Sequence, residues 1–246
     1  MKKEKVFGID VCVTNYEELC KNLNKDIINN EKKFIVAVNP EKLMKAKKDD
    51  NTKKILQEAD YQIPDGVGII YASKLNKGKI KTRITGIDLM DKICSLANDN
   101  KYKVFMYGAS KDVITTAKIK LEEKYHQIKI TGYCDGYEKN NDIIVDKINK
   151  SKAEIVFVAL GSPKQENWIK DNMTKCNACI YQGVGGSFDV ISGKLKRAPI
   201  KMQKLGLEWL YRLIKEPKRI FRQIKIISFL FKVMIEKSKK EKINEK

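Results

Sequence analysis

The chain has 246 residues, 42% of them hydrophobic, and its 50 lysines and arginines against 31 aspartates and glutamates give a formal net charge of +19. That length supports one large α/β domain, with or without an appendage, around a buried core that needs no cysteine staples. The charge selects polyanionic partners (nucleic acid, anionic lipid or phosphorylated small molecules), although Lys, Ile and Asn are used heavily throughout and lysines outside the C-terminal tail read as solvated surface.

Cys12, Cys20, Cys94, Cys134, Cys176 and Cys179 follow no framework spacing, which fits free thiols in a reducing cytosol. The one CxxC, Cys176-Asn177-Ala178-Cys179, is far in sequence from the single histidine, His126; it reads as small residues leading into a strand, and no metal site is expected. The start, Met1-Lys2-Lys3-Glu4-Lys5-Val6, is charged, with no apolar stretch of signal-peptide length behind it, so the chain is expected to stay in the cytosol. No stretch approaches the ~20 apolar residues of a spanning helix. Residues 226–235 come closest, at about half that length and broken by Lys232.

In chain order, Lys33-Phe34-Ile35-Val36-Ala37-Val38 is an apolar, β-branched run stopped by Asn39-Pro40 and followed by a helical pattern from Glu41. The same grammar recurs. Val104-Phe105-Met106-Tyr107 passes through Gly108-Ala109-Ser110 into a helix ending near Tyr125, and residues 128–133 form the next strand. Ile155-Val156-Phe157-Val158-Ala159-Leu160 turns at Gly161-Ser162-Pro163 into a helix carrying Trp168, and Ala178-Cys179-Ile180-Tyr181-Gln182 leads to a glycine turn. Apolar strands alternating with helices predict a Rossmann-like, largely parallel sheet covered on both faces, with ligands at the carboxyl ends of its strands. The turns at Asn39-Pro40, Gly108, Asp135-Gly136, Gly161 and 183–186 should all fall at that edge, where one cleft collects them.

From Lys194 no further strand is evident. The division expected is a core over 1–194 and a basic amphipathic helical appendage over 195–246, broken at Glu216-Pro217. Leu207, Leu210, Ile214, Ile220, Ile224 and Ile227 recur at helical spacing among Arg212, Lys215, Lys218, Arg219, Arg222 and Lys225, the pattern of an interfacial anchor on anionic lipid. The alternative is a terminal helix packed on the domain. Phe229-Leu230-Phe231 favours the anchor, because it leaves a large apolar surface for a freely solvated tail.

Several residues can carry chemistry. Ile63-Pro64-Asp65-Gly66-Val67-Gly68 sets a carboxylate on a rigid turn; such a group serves as a general base when partial burial raises its pKa, the plainer alternative being a turn aspartate bonding its own backbone. Thr82-Arg83-Ile84-Thr85-Gly86-Ile87-Asp88 offers a guanidinium, a hydroxyl and, in Asp88, an N-terminal cap for the helix that follows. Gly161-Ser162-Pro163-Lys164-Gln165-Glu166 opens a helix whose free N–H groups favour an anion, with Lys164 adding charge and Gln165 an amide. Gly183-Val184-Gly185-Gly186 lets the backbone approach a diphosphate or ribose, and Asp189 suits ribose hydroxyls. Neither a GxGxxG fingerprint in the first βα unit nor a GxxxxGK[ST] loop is present.

Together these segments resemble the WecG/TagA/CpsF family of bacterial glycosyltransferases. The matching stretches are Asn39-Pro40-Glu41, residues 63–68, 83–90, Tyr107-Gly108-Ala109, 132–137, 160–168, 183–193, Arg197-Ala198-Pro199 and Glu208-Trp209-Leu210-Tyr211-Arg212, nearly the whole chain. The resemblance implies an inverting, metal-independent transfer, with no cofactor, of a sugar from a UDP donor. In the best-known members N-acetylmannosamine passes from UDP-N-acetylmannosamine to N-acetylglucosamine on undecaprenyl diphosphate, in wall teichoic acid linkage-unit synthesis. Related members serve capsule or other surface polymers.

Carried over by position, the resemblance makes Asp65 the general base, with Asn39, Arg83 and Gln165 positioning donor and acceptor. It also places Thr85, Asp88, Gly108, Gly136, Gly161, Pro163 and Lys164 among the substrate-binding positions, assigns Gly183, Gly185, Gly186, Asp189 and Tyr137 to uridine and ribose, and gives the departing diphosphate to Arg212, Arg219 and Arg222. The implied location is the inner face of the cell membrane, held peripherally, with homo-oligomers conceivable through an apolar patch. One departure stands out: where the family commonly has threonine two residues before the Asn39 position, this chain has Ala37.

Three other classes fit less well. A nucleic-acid binder would explain the charge, but no recognised module is present and the arginines sit on an apolar helix. An oxidoreductase lacks its fingerprint. A non-catalytic membrane adaptor has no use for the clustered turns.

Overall fold

A computed structural model describes residues 1–215 and Phe229. The chain opens with an antiparallel hairpin of β1 (Lys3–Val6) and β2 (Ile9–Cys12), closed by Phe7 and Gly8 at φ 53° and 79°. Positive φ at both loop residues is the two-residue turn whose twist matches the flanking strands. Then follow α1 (Tyr16–Ile28), β3 (Lys33–Val38), α2 (Pro40–Ala46), α3 (Asp50–Glu58), β4 (Tyr61–Pro64), α4 (Val67–Leu75) and α5 (Gly86–Asn100). The second half runs β5 (Lys103–Gly108), α6 (Lys111–Lys124), β6 (Lys129–Cys134), α7 (Asn141–Ser151), β7 (Ile155–Ala159), α8 (Lys164–Asn172), β8 (Ile180–Gly183) and α9 (Ser187–Ser192), closing with α10 (Ile200–Lys204) and α11 (Glu208–Lys215).

Six strands form one sheet in the order β4-β3-β8-β7-β5-β6, every neighbouring pair parallel. This is the doubly covered parallel sheet that the apolar runs predict. Strand alternation divides its side chains between two cores. Phe34, Val36, Val38, Phe105, Tyr107, Val156 and Val158 face the hairpin, α2, α3, α4, α7 and α8, whereas Ile35, Val104, Met106, Ile155 and Phe157 face α1, α5, α6 and α9. All five residues of β7 are buried, which is why its sequence shows no polar alternation.

The hairpin lies beside edge strand β4, where Lys3 Nζ donates to the Asp60 carbonyl at 2.9 Å. It thereby covers an edge that would otherwise offer open backbone groups. The connections leaving β3 and β5 run to opposite outer edges of the sheet, so the carboxyl ends of β8 and β7 lie between them. That reversal of direction is where parallel sheets open a crevice.

After α9, no strand occurs among the described residues. No helix among them is long and apolar enough to cross a membrane. Phe229 qualifies the expected exposed tail: it is fully buried, its ring 4.8 Å from that of Phe7 in the hairpin turn, so this one residue adds to the core instead of to a free apolar surface.

Candidate active site

Along the carboxyl edge the turns follow strand order, with Asp65 after β4, Asn39 after β3, Gly183 closing β8, Gly161 after β7, Gly108 closing β5 and Gly136 after β6. Backbone hydrogen bonds tie neighbours together. Asp65 N–H donates to the Val38 carbonyl at 2.8 Å, setting it beside Asn39, and the Pro64 carbonyl accepts from Ile84 N–H at 2.9 Å, setting Asp65 beside Arg83. Three residues remote in sequence are thus adjacent through two bonds.

Local chemistry explains each position. Asn39 caps α2, its Oδ1 accepting from Lys42 N–H at 2.9 Å, and Pro40 begins that helix, where a missing N–H is harmless. Gly66 holds φ 93°, and a Cβ on Gly68 would lie 2.5 Å from Pro40 Cγ, so α4 can start hard against α2 only with glycine there. The departure at Ala37 falls on β3 opposite Ile63, partly buried against the α1/α5 core.

The helix-cap expectation for Asp88 is corrected. Thr85 caps α5, accepting Asp88 N–H at 3.2 Å and donating its hydroxyl to Asp88 Oδ2 at 2.6 Å. Asp88, one turn in, instead accepts a two-pronged bond from Arg197, at 2.6 and 2.9 Å. Arg197 Nε lies 3.5 Å from Glu208 Oε1, and the other Glu208 oxygen is 3.9 Å from Arg83. Charges alternate along this chain, which joins α5, the segment after α9, α11 and the Arg83 loop. Burial pushes the Asp88 carboxyl up, but the Arg197 and Thr85 hydrogen bonds and the charges of Arg197 and Arg83 outweigh it and hold the group below the usual carboxylate range.

The glycine turn is bound from two sides. Gln182 Nε2 donates to the Gly86 carbonyl at 2.8 Å, joining β8 to the start of α5. Gly185, at φ 53°, gives its N–H to Gln165 Oε1 at 2.9 Å. Gln165 is 4% exposed, so its amide is a buried link between α8 and the turn. Lys164, exposed, and Pro163 stand at the opening of α8, and Asp189 is partly buried in the first turn of α9. Farther along the edge, Ala109 N–H bonds to the Ala159 carbonyl and Gly136 N–H to Ala109, linking the turns after β7, β5 and β6. Tyr137 is 74% exposed. Arg212 falls within α11, its side chain outside the described part; Arg219 and Arg222 lie outside the described residues.

Lys42, Glu166 and the couplings of Arg197 and Glu208 escape a reading by motif. One signal for Arg197 is present: only five of the 50 basic residues are arginine, at 83, 197, 212, 219 and 222. In a chain that uses lysine wherever a plain cation serves, an arginine marks a place where the planar fork is needed.

A carboxylate and an arginine on adjacent turns, next to a helix start and a glycine turn at the carboxyl edge of a parallel sheet, make a candidate site for group transfer. The family model described as Glycosyl transferase WecG/TagA/CpsF family matches residues 4–243, so the chain belongs to that family and is a glycosyltransferase. It is similar to the N-acetylglucosaminyldiphosphoundecaprenol N-acetyl-beta-D-mannosaminyltransferase of Bacillus subtilis (strain 168), at 36% identity over 98% of this chain and 94% of that protein. Proteins of the same name from Bacillus spizizenii (strain ATCC 23059 / NRRL B-14472 / W23) and Staphylococcus aureus (strain MW2) are 38% identical over 83% of this chain and 80% of theirs, and 33% identical over 98% and 95%.

Proposed function

We propose that the chain transfers N-acetylmannosamine from UDP-N-acetylmannosamine to N-acetylglucosaminyl-diphospho-undecaprenol, the step that completes the linkage disaccharide of wall teichoic acid. The observation that carries the reading is the convergence of Asp65, Asn39 and Arg83 through the Asp65–Val38 and Ile84–Pro64 hydrogen bonds. The names of the relatives support the same transferred sugar and the same acceptor.

In this reading an acceptor hydroxyl attacks the anomeric carbon of the donor while Asp65 removes its proton. The new glycosidic bond forms on the face opposite the breaking C1–O bond, inverting the centre, and UDP leaves with the bonding pair. Asn39 and Arg83 orient the reactants, Gln165 acts through the 183–186 turn, and Asp189 and Tyr137 serve the ribose and uracil. Arg212, Arg219 and Arg222 neutralise the departing diphosphate. The basic C-terminal segment holds the enzyme peripherally on the inner face of the membrane, where the lipid-linked acceptor resides.

The test is UDP release from UDP-N-acetylmannosamine with and without a lipid-linked N-acetylglucosamine diphosphate analogue. Acceptor-dependent release, lost in Asp65→Asn, is the expected result. Release from another UDP-sugar alone would reassign the donor.

A further inference from the structure

Beneath the glycine turn, two side chains outside the machinery just described meet at one buried carboxylate oxygen. Lys42 of α2 places Nζ 2.6 Å from Glu166 Oε1, and Gln165 Nε2 donates to the same oxygen at 3.2 Å. The side chains of Lys42 and Glu166 are 14% and 3% exposed. The second oxygen, Glu166 Oε2, is buried without a hydrogen-bond partner. Gln165 directs its own oxygen to Gly185 N–H, and a Cβ on Gly183 would lie 2.6 Å from Gln165 Nε2, so the amide lies close along the turn.

An amide is nearly the same shape either way round. Turned over, Gln165 would oppose its NH₂ to Gly185 N–H, and the turn would lose its acceptor. An ionised carboxylate accepts hydrogen bonds and donates none, so it admits only the NH₂ end of Gln165. Lys42 keeps it ionised: burial pushes the Glu166 carboxyl up, and the charge and hydrogen bond of Lys42 outweigh that and hold it below the usual range. Stability alone does not explain such a pair, because well-packed apolar residues replace buried ion pairs without loss in many proteins.

We propose that Lys42 and Glu166 are positioning residues of the transfer reaction: their ion pair sets the orientation of the Gln165 amide, which holds Gly185 N–H and the 183–186 turn in the shape that receives the donor's nucleoside diphosphate. The proposal rests on reading that turn as the donor site. Lys42 and Glu166 touch no substrate and act through Gln165.

The experiment follows amide hydrogen exchange at Gly185 and UDP binding in the full chain. Comparing Glu166→Gln, Lys42→Met and Lys42→Arg with the double variant Lys42→Met/Glu166→Leu separates turn geometry from folding, since the double variant removes both charges together. In Glu166→Gln, Lys42→Met and the double variant, Gly185 should exchange about tenfold faster and UDP should bind about tenfold more weakly, the scale of one charge-assisted hydrogen bond. Exchange at Val184, whose N–H bonds to the Val158 carbonyl, should be unchanged. Lys42→Arg, which keeps a cation on Glu166, should recover protection relative to Lys42→Met.

Unchanged exchange at Gly185 in both Glu166→Gln and the double variant would overturn the proposal. So would faster exchange with undiminished UDP affinity. A Gly185→Val chain distinguishes the underlying reading: valine is strained at that positive φ, and UDP bound as tightly as by the native chain would remove the turn from the donor site.

Discussion

The turns along the carboxyl edge and the segment beyond Lys194 are held by different forces. Three of the edge turns are tied by main-chain bonds to a buried strand: Asp65 to Val38, Ala109 to Ala159 and Val184 to Val158. The segment from Arg197 to Glu208 is tied to that edge through charged side chains, Arg197 to Asp88 and Glu208 to both Arg197 and Arg83. Main-chain bonds inside a folded sheet are indifferent to salt, whereas partly exposed ion pairs weaken as it rises. A pre-formed edge held by main-chain bonds is therefore paired with a C-terminal segment whose seating responds to ionic strength.

The largest effect should come from chemistry alone. Asp65→Asn should reduce acceptor-dependent UDP release by on the order of 10²- to 10⁴-fold, the usual contribution of a positioned general base, with little change in melting temperature. An equal loss of stability would mean that Asp65 is part of the scaffold. Attacking the edge from below is next: Phe157→Ala, at a fully buried position of β7, should cost about 3–5 kcal/mol in urea unfolding.

Breaking the other region should do less to the core. Arg197→Ala leaves Asp88 and Glu208 without their shared cation and should cost about 1–3 kcal/mol, with protease cleavage between residues 195 and 207 rising while exchange in β7 stays slow. Arg197→Lys should recover only part of the loss, since an ammonium cannot match the two-pronged contact with Asp88. Cleavage that tracks global unfolding would erase the distinction between the two regions.

Acid should act on the same contact. The folded pKa of Asp88 lies below the usual value, so its stabilisation is complete above the unfolded pKa of about 3.9 and is lost as pH falls through the folded one. The melting-temperature gap between the native chain and Asp88→Asn should therefore be constant near neutrality and shrink below about pH 4. Smallest of all, Lys21→Ala removes a fully exposed pair with Glu17 on α1 and should leave both melting temperature and transfer rate unchanged.

Strands buried on both faces announce themselves. The β3, β5 and β7 runs are apolar throughout because helices cover each side, and the polar turn after each is legible for the same reason. The β1–β2 hairpin is not, since strands of four residues are too short to carry a periodic signal, and its place beside β4 is set by packing. Asp65, Asn39 and Arg83 were legible singly, as a turn carboxylate, a polar stop at the end of a strand and a guanidinium, with family resemblance assigning them together.

By itself the sequence determined the α/β class, the parallel sheet and the edge at which the polar turns gather, because burial on both faces is written into every central strand. The order in which those turns stand along the edge was left to the tertiary structure, as was the replacement of Asp88 by Thr85 as helix cap. So were the burial of Phe229 against Phe7 and the meeting of Lys42 with Glu166 across 124 positions. The physical reason is range: periodicity and capping act within a turn or two of chain, whereas a buried charge or ring acquires its meaning from the partner that packing brings to it.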